Sequence, residues 1–154
     1  MQTRKEKNGQ EKSYIVDKVF IDTNILVYTV DKFDKNKQMI ARKIVKEAIF
    51  NDVAVISTQV LQEFYNVCTI KLQMKPLKVK EYVHNYIENV EVVQNGSAII
   101  ERGIDISIMS KISFWDALLI AASESANCTE LITEDLNDGQ IINGVKIKNP
   151  FNSM

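Results

Sequence analysis

Four acidic residues stand where a chain could use them for chemistry. Asp22 directly follows Val19-Phe20-Ile21, at the point where Thr23-Asn24-Ile25-Leu26 turns toward a helix. Asp135 repeats that placement after Leu131-Ile132-Thr133, inside Thr133-Glu134-Asp135-Leu136-Asn137-Asp138-Gly139. Each has an ordinary structural explanation: Asp is a good helix N-cap, and Asp, Asn and Gly crowd turns. If the two strands are neighbours, both acids also meet at one edge of a sheet. Asp116 lies in Phe114-Trp115-Asp116-Ala117-Leu118-Leu119-Ile120-Ala121-Ala122, a helical run apolar nearly all round, so its carboxylate is expected to be at least partly buried. Ser113 offers a capping box worth about 1 kcal/mol. An unpartnered buried carboxylate costs more, typically several kcal/mol, which favours a functional role. Glu63 borders the stripe of Val60, Leu61, Phe64, Val67 and Cys68, whose centre lies about 100° away around the helix. For an isolated Glu the ordinary reading there is a solvated helix edge.

Four carboxylates brought within about 5 Å of one another would repel by about 3 kcal/mol per pair at an effective dielectric of 20. Either some take up protons with raised pKa values, or a divalent cation neutralises the cluster. Oxygen ligands alone favour the hard ions Mg²⁺ or Mn²⁺, with Mg²⁺ keeping several waters. A site of that kind activates water and stabilises charge developing on a phosphodiester.

The elements that must position these acids alternate along the chain. Strands are predicted at Ile15 to Ile21, Val53 to Ile56, Val90 to Val93, Leu131 to Thr133 and, more weakly, Val145 to Ile147. Helices are predicted from about Asn36 to Phe50, from near Thr58, from Leu77 to Asn89 behind a first-turn Pro76, from Ser97 to about Met109, and from Phe114 to Ala126. In the third of these, Val79, Val83 and Tyr86/Ile87 are expected to face inward. Alternating strands and helices joined by right-handed crossovers give an α/β fold, a parallel sheet covered on both faces. Ligands bind such sheets beyond the carboxyl ends of the strands, where Asp22 and Asp135 fall.

Composition narrows the chemistry further. With 154 residues, one compact domain is the default. One His cannot build a His-rich zinc site, and Cys68 and Cys128 form no CxxC unit, so both are expected as small core residues in a reducing compartment. No apolar run approaches the roughly 18 residues of a membrane span, and the amino terminus lacks a signal-peptide apolar region, so a cytosolic protein is expected. A net charge of -1 argues against holding nucleic acid by bulk basicity and leaves a local basic groove open.

The stretches Val19-Phe20-Ile21-Asp22-Thr23-Asn24-Ile25-Leu26, Ser57-Thr58-Gln59-Val60-Leu61-Gln62-Glu63-Phe64, Phe114-Trp115-Asp116-Ala117-Leu118-Leu119 and Leu131-Ile132-Thr133-Glu134-Asp135-Leu136 resemble, in order, the motifs of PIN-domain ribonucleases, and within them the VapC-type toxins of toxin-antitoxin pairs. Each is weak alone; together they are specific and cover about Lys18 to Phe151. The resemblance implies a three-layer α/β/α PIN-like domain over residues 14–154, with a central parallel sheet of about five strands, behind a tail at 1–13. It makes Asp22, Glu63, Asp116 and Asp135 an acidic quartet holding one or two Mg²⁺ or Mn²⁺ ions, with Asp138 contributing through water and Thr23, Asn24 and Thr133 supporting the ligands. It further implies endonucleolytic hydrolysis of RNA by an activated water, a small antitoxin that blocks the site, and a homodimer. One departure is the first aspartate, which family toxins place within a few residues of the start. Here some twenty residues precede it, and Met1 to Ser13 reads as an extension, an expression artefact or an early start.

Other residues carry less. Lys32, Lys35, Lys37, Lys71, Lys75, Lys78 and Lys80 are candidates for phosphate contacts, with a solvated helix face as the equally good alternative. His84 is expected at the surface, and Trp115 to pack at the start of a buried helix rather than to stack on a base. A haloacid-dehalogenase phosphatase needs Asp where Asn24 stands. A receiver domain needs acids that Val90 to Asn95 does not supply, and no phosphate-binding glycine loop occurs. A DNA-directed or non-toxin nuclease of related fold, and a PIN-like module that binds without cutting, are the remaining alternatives.

Overall fold

The structure is a computed structural model and describes residues 17–153. The expected tail, and Ile15 and Val16 of the expected first strand, lie outside the described residues. The chain runs β1 (Lys18–Ile21), α1 (Thr23–Tyr28), α2 (Lys35–Phe50), β2 (Ala54–Ser57), α3 (Thr58–Ile70), α4 (Pro76–Asn89), β3 (Glu91–Val93), α5 (Ser97–Ser110), α6 (Phe114–Ser125), β4 (Cys128–Ile132), β5 (Ile141–Ile142) and β6 (Val145–Lys148). Local chemistry marks the helix starts. Asp34 accepts the Asn36 and Lys37 N–H groups at 3.1 and 3.0 Å at the head of α2, Pro76 occupies the first turn of α4, and Ser113 accepts the Asp116 N–H at 3.1 Å at the head of α6.

The six strands form one sheet in the order β3-β2-β1-β4-β6-β5, parallel except for β5. The expected α/β architecture is therefore present, with one strand more than expected. Ile141–Ile142 is too short to show a period, but Asn143-Gly144 is a two-residue hairpin turn with both residues at positive φ, 49° and 79°. That turn pairs β5 antiparallel to β6.

Strand order decides where chemistry can occur. From β1 the chain builds outward through β2 to β3, then returns to place β4 on the other side of β1, so the order reverses between β1 and β4. Helices on opposite faces leave a crevice at such a reversal, beyond the carboxyl ends of the two strands. Ile21 stands opposite Ile132, and the Asp22 N–H continues the ladder to the Ile132 carbonyl at 3.0 Å. Residues 22 and 133 thus leave the sheet side by side.

The core joins Phe20, Ile21, Val55, Ile56 and Leu131 of the sheet to Ile25, Val60, Phe64, Ile106 and Ile120 of the helices. Cys68 and Cys128 are buried in it, and burial pushes their thiols up to about 11 and about 12, in keeping with inert, space-filling residues. Two packing expectations fail. Ile87 is 50% exposed, because Val79 and Tyr86 already fill the inward stripe of α4. Trp115 is 62% exposed, because the buried run of α6 begins only at Ala117, one turn into the helix. His84 is exposed, as expected. No helix among the described residues is long and apolar enough to cross a membrane.

α5 and α6 pack closely at Gly103, where an added Cβ would come within 3.3 Å of Leu118 Cα and Cδ1. A β-branched side chain there must push the helices apart. Gly103→Val is expected to lower the unfolding free energy by about 1–3 kcal/mol in urea titration; a variant as stable as the parent would show that the pair separates without cost.

Candidate active site

Asp22 leaves the central strand with only 4% of its surface exposed. Its Oδ1 accepts the Thr23 N–H at 2.6 Å, and its Oδ2 accepts the Thr133 hydroxyl at 2.8 Å and, at 3.4 Å, the Asn24 amide. Capping of α1 and a place in the acidic cluster are therefore held together, one by each oxygen. Thr133 is fully buried at the end of β4, and its Oγ1 also accepts the Asp135 N–H at 3.1 Å. Asn24 Nδ2 donates to Asp135 Oδ2 at 3.0 Å. One hydroxyl and one amide thus tie the two strand-end acids together.

Glu63 comes from the other side, on the second turn of α3, which starts as β2 ends. Its Oε2 accepts the Thr23 hydroxyl and its Oε1 accepts the Gln59 amide, both at 2.9 Å. Gln59 was not among the sequence candidates, although its position four residues before Glu63 places both on one helix face. It is buried, as few glutamines are. Asp116 is half-buried at the head of α6, and the Ser113 cap takes its N–H rather than its carboxylate.

Asp22, Glu63 and Asp135 are close enough to influence one another, and Asp116 is close enough to act on Asp135. Burial pushes Asp22 up to about 7, against the bonds from Thr133 and Thr23, with the charges of Asp135 and Glu63 adding to the rise. Burial also raises Asp135, against its bond from Asn24, and Asp116, Glu134 and Glu63 raise it further. Asp22, Glu63 and Asp135 share the wall of a cleft of about 340 Å³ with Thr23, Asn24 and Glu134, whereas Asp116 does not line it. None of the four acids forms an ion pair with a Lys or Arg among the described residues.

The structure places other candidates differently. Asp138 does not line this cleft; its Oδ1 accepts the Asn149 N–H at 2.8 Å and fastens the turn before β5 to the end of β6. Lys37 is not available to a phosphate. Its Nζ donates to Glu134 Oε2 at 2.9 Å and to the Tyr28 hydroxyl at 3.2 Å, and it lies over the rings of Tyr28 and Phe151. Tyr28 in turn donates to Glu134 Oε1, so both oxygens of this acid beside Asp135 are held. Lys78 pairs with Glu81, whereas Lys71 lies in the cleft wall.

The PIN domain family model matches residues 19–138. No curated protein matches the chain. Among solved structures, VapC20 of Mycobacterium tuberculosis, a Sarcin-Ricin loop cleaving toxin, superposes with a TM-score of 0.61 at 16% identity, over 73% of this chain and 86% of that one. A toxin-antitoxin complex from Klebsiella pneumoniae gives 0.65 at 20%, over 86% and 98%. DNA-bound VapBC from Salmonella typhimurium gives 0.64 at 17%, over 88% and 99%. These likenesses show a shared fold, and the family match spans both strand-end acids, Glu63 and Asp116: the chain belongs to the PIN-domain family.

Proposed function

We propose that this protein is a Mg²⁺- or Mn²⁺-dependent endoribonuclease of the cytosol, the toxin of a toxin-antitoxin pair, with Asp22, Glu63, Asp116 and Asp135 as its catalytic and metal-holding acids. The observation that carries the reading is the buried Asp22 carboxylate, tied through Thr133 and Asn24 to Asp135 and sharing a cleft with Glu63, in a cluster whose acids form no ion pair with Lys or Arg among the described residues.

The donor set fits a hard divalent cation. It is all oxygen and mostly carboxylate, and a cation would supply the opposite charge that the cluster lacks. As placed, no three acidic, His or Cys side chains among the described residues stand close enough to share one ion. A bound Mg²⁺ would take one or two of these carboxylates directly and reach the others through the waters it keeps. When bound, the ion supplies Lewis-acid stabilisation of phosphodiester charge and lowers the pKa of water. The chain's own contribution is orientation: Thr133 and Thr23 fix the Asp22 oxygens, while Gln59 and Thr23 fix both oxygens of Glu63. Lys37 and Tyr28 hold Glu134 aside.

An RNA substrate and an antitoxin partner rest on the likeness to VapC20 and to the solved toxin-antitoxin complexes. Pairing with a second copy belongs to the same reading, because Ile104, Ile108 and Met109 of α5 expose an apolar face.

Asp22→Asn and Asp116→Asn are each expected to slow cleavage of RNA in Mg²⁺ or Mn²⁺ by about two orders of magnitude or more, and Gln59→Leu by about tenfold through weaker metal affinity. Equal rates in wild type and both Asn variants would remove the site; cleavage in excess chelator would remove the metal. Expression without a neighbouring antitoxin should arrest growth only with the acids intact, and harmless expression of an active enzyme would favour a housekeeping nuclease.

Stability gives a test independent of cleavage. Asp22 binds its proton more tightly folded than unfolded, so its contribution is complete below about pH 4 and is lost as pH rises through about 7. In chelator, Asp22→Asn should therefore gain on wild type as pH rises from 5 to 8, by an amount on the order of a few kcal/mol, and Mg²⁺ should close part of that gap by stabilising wild type. A pH-independent difference in denaturant midpoint would show that Asp22 ionises freely.

A further inference from the structure

The acidic cleft reaches past Asp22, Glu63 and Asp135 along the seam between α1 and α3, to Val27, Asp31 and Val67. Asp31, just past the end of α1, belongs to its wall and also to that of a second depression of about 550 Å³, formed by residues of the α1–α2 loop and by Leu72 and Met74 after α3. Lys71 stands in the first wall and Lys32 in the second. Both are exposed, and neither forms a salt bridge among the described residues.

Phe33 also lines the second depression, yet 96% of its surface faces solvent. Its N–H donates to Asp31 Oδ1 at 3.0 Å, and Asp34 caps α2 immediately after it, so the backbone on both sides of the ring is tied. These bonds engage both acids of the stretch, Asp31 and Asp34. Single exposed aromatics are common and mean little alone. Here the ring lines a depression that shares Asp31 with the acidic cleft, and each of the two has one Lys in its wall. A flat apolar face beside spaced cations matches a chain of unpaired bases and phosphates, which bind by stacking and by charge.

On the nuclease reading above, we infer that these two adjoining depressions form a track for single-stranded RNA beside the scissile phosphate, with Lys71 and Lys32 on backbone phosphates and Phe33 stacked on a base. A duplex offers no unpaired base to Phe33, so the track selects single strands. Phe33 and Lys71 here bind substrate and leave the reacting groups untouched.

The test uses the full chain with a single-stranded RNA oligonucleotide and its duplex. Phe33→Ala is expected to raise KM about tenfold with kcat within about twofold, and Phe33→Trp to restore KM. The new indole should be quenched by the single strand and not by the duplex. Lys71→Ala should reduce the slope of log Kd against log salt by about 0.7, the value for one single-strand phosphate contact. Phe50→Ala, which removes another exposed ring 88% open to solvent on α2, should change none of these. An unchanged KM in Phe33→Ala, an equal loss in Phe50→Ala, or quenching by duplex would overturn the track. An unchanged KM accompanied by an altered oligomeric state would assign Phe33 to a second copy and overturn it as well. A wild type that cuts no RNA overturns the nuclease reading instead, while quenching and salt slope still decide the track.

Discussion

A carboxylate at the end of the central strand is the constraint around which this molecule is arranged. Asp22 is almost wholly buried, and taking a carboxylate out of water costs several kcal/mol unless hydrogen bonds or an opposite charge replace the lost solvent. The chain replaces part of it with the Thr23 N–H and the Thr133 hydroxyl. Those bonds fix both oxygens but do not bring the group back to an ordinary acidity: burial outweighs them, and the charges of Asp135 and Glu63 add to the rise.

The bond from Thr133 spans 111 residues of sequence, and its existence depends on β4 lying next to β1. Parallel strands with helical crossovers need not place sequential strands side by side, and here the return of the chain across β1 creates the crevice. β2 lies on the other flank of β1, so α3 begins at the same sheet edge and delivers Glu63. A change in strand order would leave every local element intact and scatter the acids.

Charge around the cluster is sorted by contact rather than by composition. Glu134 lies next to Asp135, yet it is withdrawn into a bond network with Lys37 and Tyr28, over which Phe151 packs from the end of the chain. Lys71 has no such partner among the described residues and stays in the cleft wall. The near equality of 19 bases and 20 acids therefore conceals a local separation: acids gathered at the sheet edge, with the bases in the majority elsewhere.

By itself the sequence determined the alternation of strands and helices, the burial of both cysteines and the strand-end positions of Asp22 and Asp135, because these follow from periods, caps and propensities acting over a few residues. The fold class was legible for that reason, and the family resemblance rested on the same short stretches. Missed locally were β5, two residues long and betrayed only by Asn143-Gly144, and the pairing of Gln59 with Glu63 along one helix face. The fate of the lysines, the exposure of Trp115 and the detachment of Asp138 were settled by tertiary structure alone. Each depends on which distant segment arrives alongside: Glu134 for Lys37, Asn149 for Asp138, and for Trp115 the absence of cover over the first turn of α6. Backbone propensity is a local energy, whereas a charge or an apolar ring is stabilised by whatever neighbour the chain topology brings to it.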